Sequence, residues 1–146
     1  MLNRRLAVWW LAALMGATGE LLAAQTGSGK RVVINKTDQT LRAYENGHLV
    51  FKSRVSTGKE GKQTPSGNFR AESKSRMHRS RLYNNAPMPY SVQFSGNYFI
   101  HGFSSVPNRP ASHGCIRLPL NEAPTFYNWV TPGTPITVTG KWPGNR

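Results

Sequence analysis

Short runs that alternate apolar and polar residues, the pattern typical of β-strands, dominate the chain after residue 30. Residues 31–35 (RVVIN) are rich in β-branched side chains, and residues 39–45 (QTLRAYE) alternate in polarity. The dipeptide Asn46-Gly47 predicts a type I′ hairpin turn into residues 48–57, because both positions tolerate a positive φ. Further strands are predicted at residues 68–73, 90–94, 98–102 and 135–139.

One helix is predicted near the C-terminus. Asn121 is a suitable N-cap, and Pro124 is tolerated in the first turn because its missing N–H would have no partner there. Phe126 and Trp129 then fall on one face at helical spacing, which indicates core packing. Residues 131–133 (TPG) end the helix.

Two polar stretches interrupt the strands. Residues 58–67 (GKEGKQTPSG) form a predicted loop, and residues 74–87 show no clear period, which favours an irregular connection. Taken with the short strands and the single helix, these stretches predict one mostly β domain with a C-terminal helix.

The first 24 residues have the composition of a signal peptide. Arg4 and Arg5 precede an apolar run at residues 6–19, which is shorter than the roughly 20 residues of a membrane-spanning helix. An uncleaved leader that anchors the chain to a membrane is the alternative. The expected organisation is a signal peptide at residues 1–24, a linker at 25–30, one domain at 31–140 and a short tail at 141–146.

Basic residues far outnumber acidic ones, with 19 Lys and Arg against 6 Asp and Glu and a net charge of +13. So basic a surface favours anionic partners such as nucleic acid, anionic lipid or an acidic wall polymer. Export argues against nucleic acid, and the basic cluster at residues 74–81 has no interleaved aromatic residues of the kind that stack on bases. An envelope polymer is therefore the favoured partner, and the cluster is either its docking surface or a solvated loop.

Cys115 is the only cysteine, so the chain has no internal disulfide. A thiol is a nucleophile as its thiolate, and a nearby imidazole can take the proton. His101 is favoured over His113 as that base, since a residue on a neighbouring strand approaches the sulfur more easily than one two positions away. A buried packing thiol is the ordinary alternative, and a zinc site made of these three residues would lack a fourth ligand.

Two neighbours of the cysteine extend this chemistry. Gly114 lets the backbone turn sharply and lets a substrate carbonyl come close. The N–H of Cys115, together with that of Gly114, is a candidate donor to a developing oxyanion. In an extended chain, Arg117 projects on the same side as Cys115 and can bind a substrate carboxylate through paired hydrogen bonds.

The run SHGCIR at residues 112–117, with His101-Gly102 upstream, resembles the signature of the L,D-transpeptidase catalytic domain of the YkuD type. The resemblance extends from about Val32 to Val138, over nearly all of the expected mature domain. Further segments similar to the family's pattern are residues 56–59 (STGK), 64–69 (TPSGNF), 88–90 (MPY) and 133–135 (GTP).

The resemblance implies a mixed β-sandwich or barrel-like catalytic domain. It implies that Cys115 is the nucleophile and that His101 is the general acid/base, oriented by a backbone carbonyl such as that of Gly102. It implies no metal and no organic cofactor. The remaining implied substrate-binding or oxyanion residues are Ser112, His113, Gly114, Arg117, Gly102 and Tyr90.

In the implied reaction, the cysteine attacks the amide before the terminal D-alanine of a peptidoglycan tetrapeptide stem and releases D-alanine. An amine then takes the acyl group from the thioester, which gives 3–3 cross-links or related attachments. An L,D-carboxypeptidase or hydrolase with the same site, and a non-catalytic cell-wall-binding module, are the alternatives. We expect a monomer in the periplasm or cell envelope, touching a membrane only through an uncleaved leader.

Overall fold

The computed structural model describes residues 29–144 and arranges this part of the chain as two sheets and one helix. The predicted signal peptide at residues 1–24, most of the linker and the last two residues of the tail lie outside the described residues. The strands are β1 (Lys30–Asn35), β2 (Thr40–Glu45), β3 (His48–Arg54), β4 (Gly67–Arg70), β5 (Lys74–Arg79), β6 (Pro87–Ser95), β7 (Tyr98–Phe103), β8 (Ile116–Pro119) and β9 (Pro135–Thr139), and the helix is α1 (Ala123–Trp129).

The first sheet has the strand order β3-β2-β1-β9-β4. Its hairpin between β2 and β3 turns at Asn46 and Gly47, which adopt φ values of 51° and 81°, so the predicted positive-φ turn is confirmed. The last strand, β9, pairs in parallel with β1 and antiparallel with β4, so the sheet is mixed.

The second sheet has the strand order β5-β6-β7-β8. Its first three strands are antiparallel, and β8 joins β7 in parallel with His101 opposite Arg117. Parallel neighbours need a crossover connection, and residues 104–115 supply it without a helix. This sheet is therefore also mixed.

Side chains from both sheets and the helix meet in one hydrophobic core. Ile34 from the first sheet and Ile100 and Ile116 from the second are fully buried. Phe126 of α1 is also buried, and its ring centroid lies 6.0 Å from that of Phe51. The prediction of a mostly β domain with one C-terminal helix is confirmed for the described residues.

The helix begins one residue later than the sequence predicts. Glu122 rather than Asn121 is the N-cap residue, and no side-chain hydrogen bond caps this end. Pro124 lies in the first turn as expected. The helix ends at Trp129, and the N–H of the C-cap residue Val130 donates to the carbonyl of Phe126. Nowhere in residues 29–144 is a helix long and apolar enough to cross a membrane.

The prediction of an irregular connection at residues 74–87 was wrong for its first half. Residues Lys74–Arg79 form β5, an edge strand that pairs antiparallel with β6. Apolar alternation is missing from this strand because neither face packs into the core: Ser75 and His78 face a cavity, while Arg76 and Met77 are exposed. An edge strand without a core face carries no periodic signal.

The predicted strand at residues 48–57 is also shorter in the structure, where β3 ends at Arg54. The chain then leaves the first sheet, and Ser56 and Gly58 form bridges to Arg117 and Ser112. These bridges connect the segment after β3 to β8 and to the segment that precedes β8.

Candidate active site

A cavity of about 340 Å³ opens beside the second sheet, between β5, β6, β7 and the segment that precedes β8. The side chains at its wall that could act as a base, a nucleophile and an anion-binding group are His101, Cys115 and Arg117. Arg81 and Tyr83, from the turn after β5, line it as well. The residues that line it include no Asp or Glu, so the charge at the wall is cationic.

Parallel pairing of β7 with β8 is what brings the histidine and the cysteine together. Ile100 pairs with Ile116 and His101 with Arg117, so Cys115 stands at the entry to β8 directly beside the β7 ladder. The two residues are fourteen positions apart in sequence, and the crossover returns the chain to the same edge. His101 thus lies on β7, and Cys115 lies immediately before β8, the strand beside it.

The surroundings of Cys115 favour the protonated form of its thiol. Burial raises the pKa of Cys115 above its usual value of 9.0, while a hydrogen bond from the backbone at Phe99 and the charge of Arg117 act in the opposite direction. The sulfur lies 3.6 Å from the carbonyl oxygen of Asn97, to which the S–H points. The thiol therefore needs a base before it becomes a strong nucleophile.

At neutral pH the His101 imidazole is uncharged. Burial lowers the pKa of His101 from 6.5 to about 4, and the positive charge of Arg117 adds to this, although a hydrogen bond to Gly102 opposes it. Nδ1 lies 2.8 Å from the carbonyl oxygen of Gly102. Since a carbonyl oxygen only accepts, Nδ1 carries the proton and Nε2 is left as the basic nitrogen.

Arg117 is fixed at both its backbone and its guanidinium. Its N–H donates to the Ser56 carbonyl at 2.9 Å, and its own carbonyl accepts from the Ser56 N–H at 3.1 Å. The guanidinium stacks on Phe103, with Cζ 4.1 Å from the ring centroid. A planar cation held in this way is suited to binding a carboxylate through two hydrogen bonds.

Residues 112–115, here termed the Cys115 loop, are shaped by a side chain of their own. The Ser112 hydroxyl accepts from the N–H of Gly114 at 3.1 Å and donates to the carbonyl of Cys115. Gly114 adopts a φ of 124°, a conformation that L side chains rarely reach. The N–H of Gly114 is thus already hydrogen-bonded to Ser112. The expected oxyanion roles of Gly114 and Cys115 stay predictions.

Residues 55–64 hold the Cys115 loop from behind. The N–H groups of Ala111 and Ser112 donate to the carbonyl of Thr57, each at 3.0 Å. Farther along, the Thr64 hydroxyl donates to the carbonyl of Gly114 at 2.7 Å. Hydrogen bonds from this segment thus help to set the position of the loop.

The structure gathers most of the sequence-predicted site residues around one cavity. Those that line it are His101, Ser112, His113, Cys115 and Arg117, while Gly102 and Gly114 act through their backbones. The exposed His113 stacks on Tyr83, with ring centroids 4.4 Å apart.

Tyr90 does not join this group. It has a positive φ of 53°, and its ring packs edge to face against Tyr127 of α1, with centroids 5.5 Å apart. It is not among the residues that line the cavity. The hydroxyl-bearing ring that does line it is that of Tyr83, from the segment predicted to be irregular.

Sequence reasoning missed several residues that shape the site. His78 stacks on Phe99 with centroids 4.6 Å apart, Asn97 presents its carbonyl to the thiol, and Phe103 supports the guanidinium of Arg117. Only Phe103 carried a usable signal, because an aromatic residue two positions after His101 shares its face of a strand. Within residues 29–144, no three His, Cys, Asp or Glu side chains cluster as metal ligands would.

Replacing Gly114 by alanine tests how tightly the Cys115 loop is built. A Cβ at this position would lie 2.9 Å from Cε1 of Tyr98, and the positive φ adds strain of about 1–3 kcal/mol. Gly47→Ala is the matched control, since its φ is also positive but its Cβ would meet nothing within 4 Å. We expect Gly114→Ala to lower the free energy of urea unfolding more than Gly47→Ala. Equal losses would show that the loop adapts freely.

Several solved structures share this fold. The chain is similar to an L,D-transpeptidase from Stackebrandtia nassauensis, at 30% identity and a TM-score of 0.75, over 80% of this chain and 58% of that one. An L,D-transpeptidase from Xylanimonas cellulosilytica matches at 31% identity and a TM-score of 0.69, over 79% of this chain and 62% of that one. A third L,D-transpeptidase, solved in complex with imipenem, matches at 28% identity and a TM-score of 0.71, over 77% and 60%.

The chain spans 58–62% of the length of these solved relatives. No curated protein matches it significantly. The family model of the L,D-transpeptidase catalytic domain, YkuD, matches residues 29–138, which cover both sheets, the helix and the cavity wall. On this match and the shared fold, the chain belongs to the family of L,D-transpeptidase catalytic domains.

Proposed function

We propose that this protein is a cysteine-dependent L,D-transpeptidase acting on the tetrapeptide stems of peptidoglycan. The observation that carries the proposal is the joint placement of Cys115, His101 and Arg117 at the wall of one cavity, in a chain that belongs to this family. The three residues supply a nucleophile, a base and an anion-binding group, which are the parts that acyl transfer needs.

In the first step, Nε2 of His101 takes the proton of the Cys115 thiol as the sulfur attacks the amide carbonyl that joins the L-centre of diaminopimelate to D-alanine. A C–S bond forms, and the carbonyl oxygen becomes an oxyanion that accepts a hydrogen bond from the N–H of Cys115. The C–N bond then breaks, and protonated His101 gives its proton to the departing amine of D-alanine. A thioester on Cys115 remains.

In the second step, an acceptor amine attacks the thioester. His101 accepts a proton from that amine and returns it to the sulfur as the C–S bond breaks, so the thiol and the imidazole are regenerated. The new amide is a 3–3 cross-link or a related attachment. The protons balance over the two steps, and the residues of this cavity perform every transfer in them.

The neutral resting state of the pair supports general-base catalysis rather than a preformed ion pair. Both pKa shifts have burial as their largest cause, which disfavours the thiolate and the imidazolium alike. Proton transfer is then coupled to attack, and the developing oxyanion and imidazolium arise together in the substrate-filled cavity.

The proposed substrate, peptidoglycan, lies in the cell envelope, so we propose that the protein acts there. The predicted leader at residues 1–24 and the net charge of +13 fit an exported protein that works on an anionic wall polymer. Arg117 is proposed to bind a carboxylate of the stem peptide, because its guanidinium lies in a cavity wall with no acidic residue among those that line it.

The reaction is tested by incubating the protein with sacculi rich in tetrapeptide stems and reading the released muropeptides by mass spectrometry. We expect new 3–3 dimers with the wild type and none with Cys115→Ala, since the thioester cannot form without the sulfur. Tripeptides without dimers, again dependent on Cys115, would instead assign an L,D-carboxypeptidase. Identical muropeptides from both proteins would contradict an enzymatic role and leave a wall-binding module.

The pH dependence follows from the lowered pKa of His101. The base must be neutral to accept a proton, and a pKa of about 4 keeps it neutral throughout the weakly acidic range. Acylation of Cys115 by imipenem, the compound bound in the solved relative, should therefore stay nearly constant from about pH 5.5 to about pH 8.5. Mass spectrometry of the acyl-enzyme measures the rate.

A matched chemical control uses the same thiol. Alkylation by iodoacetamide requires the thiolate, so its rate should rise about tenfold per pH unit over the range in which acylation is flat. An acid limb of acylation centred near the ordinary imidazole pKa of 6.5 would show that His101 is not shifted, or is not the base.

The basic strand β5 is proposed to capture the wall polymer beside the cavity. Arg76 is exposed on this edge strand, and Arg81 lines the cavity itself. Reversing the charge of Arg76 with Arg76→Glu should lower the fraction of protein that sediments with sacculi at low salt, because the local attraction is lost. Lys52→Glu, on the exposed edge strand β3, is the control with the same charge change. Equal binding by both variants would remove β5 from the proposal.

A further inference from the structure

Thr64 is buried behind the Cys115 loop, where its side chain joins two distant segments. Only 1% of the surface of Thr64 is exposed to solvent. The hydroxyl accepts a hydrogen bond from the N–H of Gly58 at 2.9 Å and donates to the carbonyl of Gly114 at 2.7 Å. It does not line the cavity, so it cannot touch a substrate there. Its influence on the site must pass through the backbone of the loop.

Lys36 holds Thr64 from the opposite side. Its Nζ donates to the carbonyl of Thr64 at 3.0 Å, in a residue that is only 7% exposed. Burial lowers the pKa of Lys36 from its ordinary value of 10.5. A buried amine is costly unless it is hydrogen-bonded, so this contact also fixes the backbone from which the Thr64 hydroxyl reaches Gly114.

Anchoring the Gly114 carbonyl determines the direction of the next N–H. In a trans peptide the C=O and the N–H point in opposite directions, and the described residues contain no cis peptide. The Gly114 carbonyl points to Thr64, so the N–H of Cys115 points away from Thr64. Cys115 itself lines the cavity. The N–H of Gly114 is already directed at Ser112.

We propose that Thr64 is a positioning residue whose hydroxyl orients the Gly114–Cys115 peptide, so that the N–H of Cys115 meets the carbonyl oxygen of the bound substrate. This inference rests on the proposed acyl transfer and adds a residue to its machinery. Such a donor contributes only if it is held in place before the oxyanion forms, which is what the hydrogen bond from Thr64 provides.

Two reactions of the Cys115 thiol can distinguish a positioning role of Thr64 from a purely structural one. Acylation by imipenem passes through an oxyanion and depends on the direction of the Cys115 N–H. Alkylation by iodoacetamide attacks a saturated carbon and forms no oxyanion, so it depends only on the thiolate and its accessibility. Loss of the Thr64 hydroxyl should therefore slow the first reaction and spare the second.

The experiment measures both rates on the full chain carrying Thr64→Val, which keeps the shape of the side chain but removes the hydroxyl. We expect acylation by imipenem to fall on the order of 10²-fold, the usual cost of losing one oxyanion donor. Alkylation at about pH 9 should stay within roughly a factor of two. Thr64→Ser, which keeps the hydroxyl, should restore most of the acylation rate.

Thr134→Val is the matched control for removing a hydroxyl from a buried threonine. Thr134 is 3% exposed, and its hydroxyl accepts from the N–H of Thr131 at 3.3 Å, away from the residues that line the cavity. This variant should acylate at the wild-type rate, and thermal melting confirms that each variant is folded at the assay temperature. If Thr64→Val does not fold, Lys36→Met takes its place, with the same selective loss of acylation expected in smaller size.

Three outcomes would overturn the positioning role alone: wild-type acylation by Thr64→Val, equal loss in Thr64→Ser and Thr64→Val, or parallel loss of acylation and alkylation. The positioning role is likewise overturned if Lys36→Met, used as the substitute, loses both rates together or neither. A wild-type protein that is alkylated at Cys115 but is neither acylated by imipenem nor able to change the muropeptides of sacculi would overturn the proposed function itself, and the positioning role with it. If only imipenem fails to react, the rate of 3–3 dimer formation replaces acylation in the same comparison of variants.

Discussion

The parallel pairing of β7 with β8 is the constraint on which the site depends. Two parallel strands cannot be joined by a tight turn, so the chain must travel away and return before β8 begins. Residues 104–115 form this crossover connection, and its last residue is Cys115. The same register that pairs Ile100 with Ile116 therefore delivers the proposed nucleophile beside the strand that carries its proposed base. Antiparallel pairing of these strands would have sent the cysteine to the other end of β7.

Behind the Cys115 loop lies a network of buried polar residues that hydrogen-bond to the segment around Cys115. Ser56, Thr57 and Thr64 are all nearly fully buried, yet each directs its hydrogen-bonding groups at the segment around Cys115. Gln39 completes the network by donating to the Thr57 hydroxyl and accepting from the Thr57 N–H, both at 2.9 Å. Hydrogen bonds of this kind are directional and strengthened by the low local dielectric, so they fix a peptide orientation that dispersion contacts would leave loose.

Local chemistry explains which features the sequence could predict. Asn46-Gly47 forms its turn because two adjacent residues tolerate the required φ, and the SHGCIR run around Cys115 concentrates the reactive groups in six positions. Strand β5 was not predicted because its side chains face a cavity or solvent, so its sequence shows no apolar period. The contact from Thr64 to Gly114 spans 50 positions, and the packing of Tyr90 against Tyr127 depends on where α1 docks. Only the tertiary fold determines such contacts.

The raised pKa of Cys115 also affects how readily its sulfur is oxidised. Peroxides and disulfides react with thiolates, and a thiol that keeps its proton is oxidised slowly to sulfenic acid and beyond. Cys115 is the only cysteine of the chain, so no internal partner can rescue a sulfenic acid by forming a disulfide. Burial that raises the thiol pKa thus slows oxidation of the sulfur.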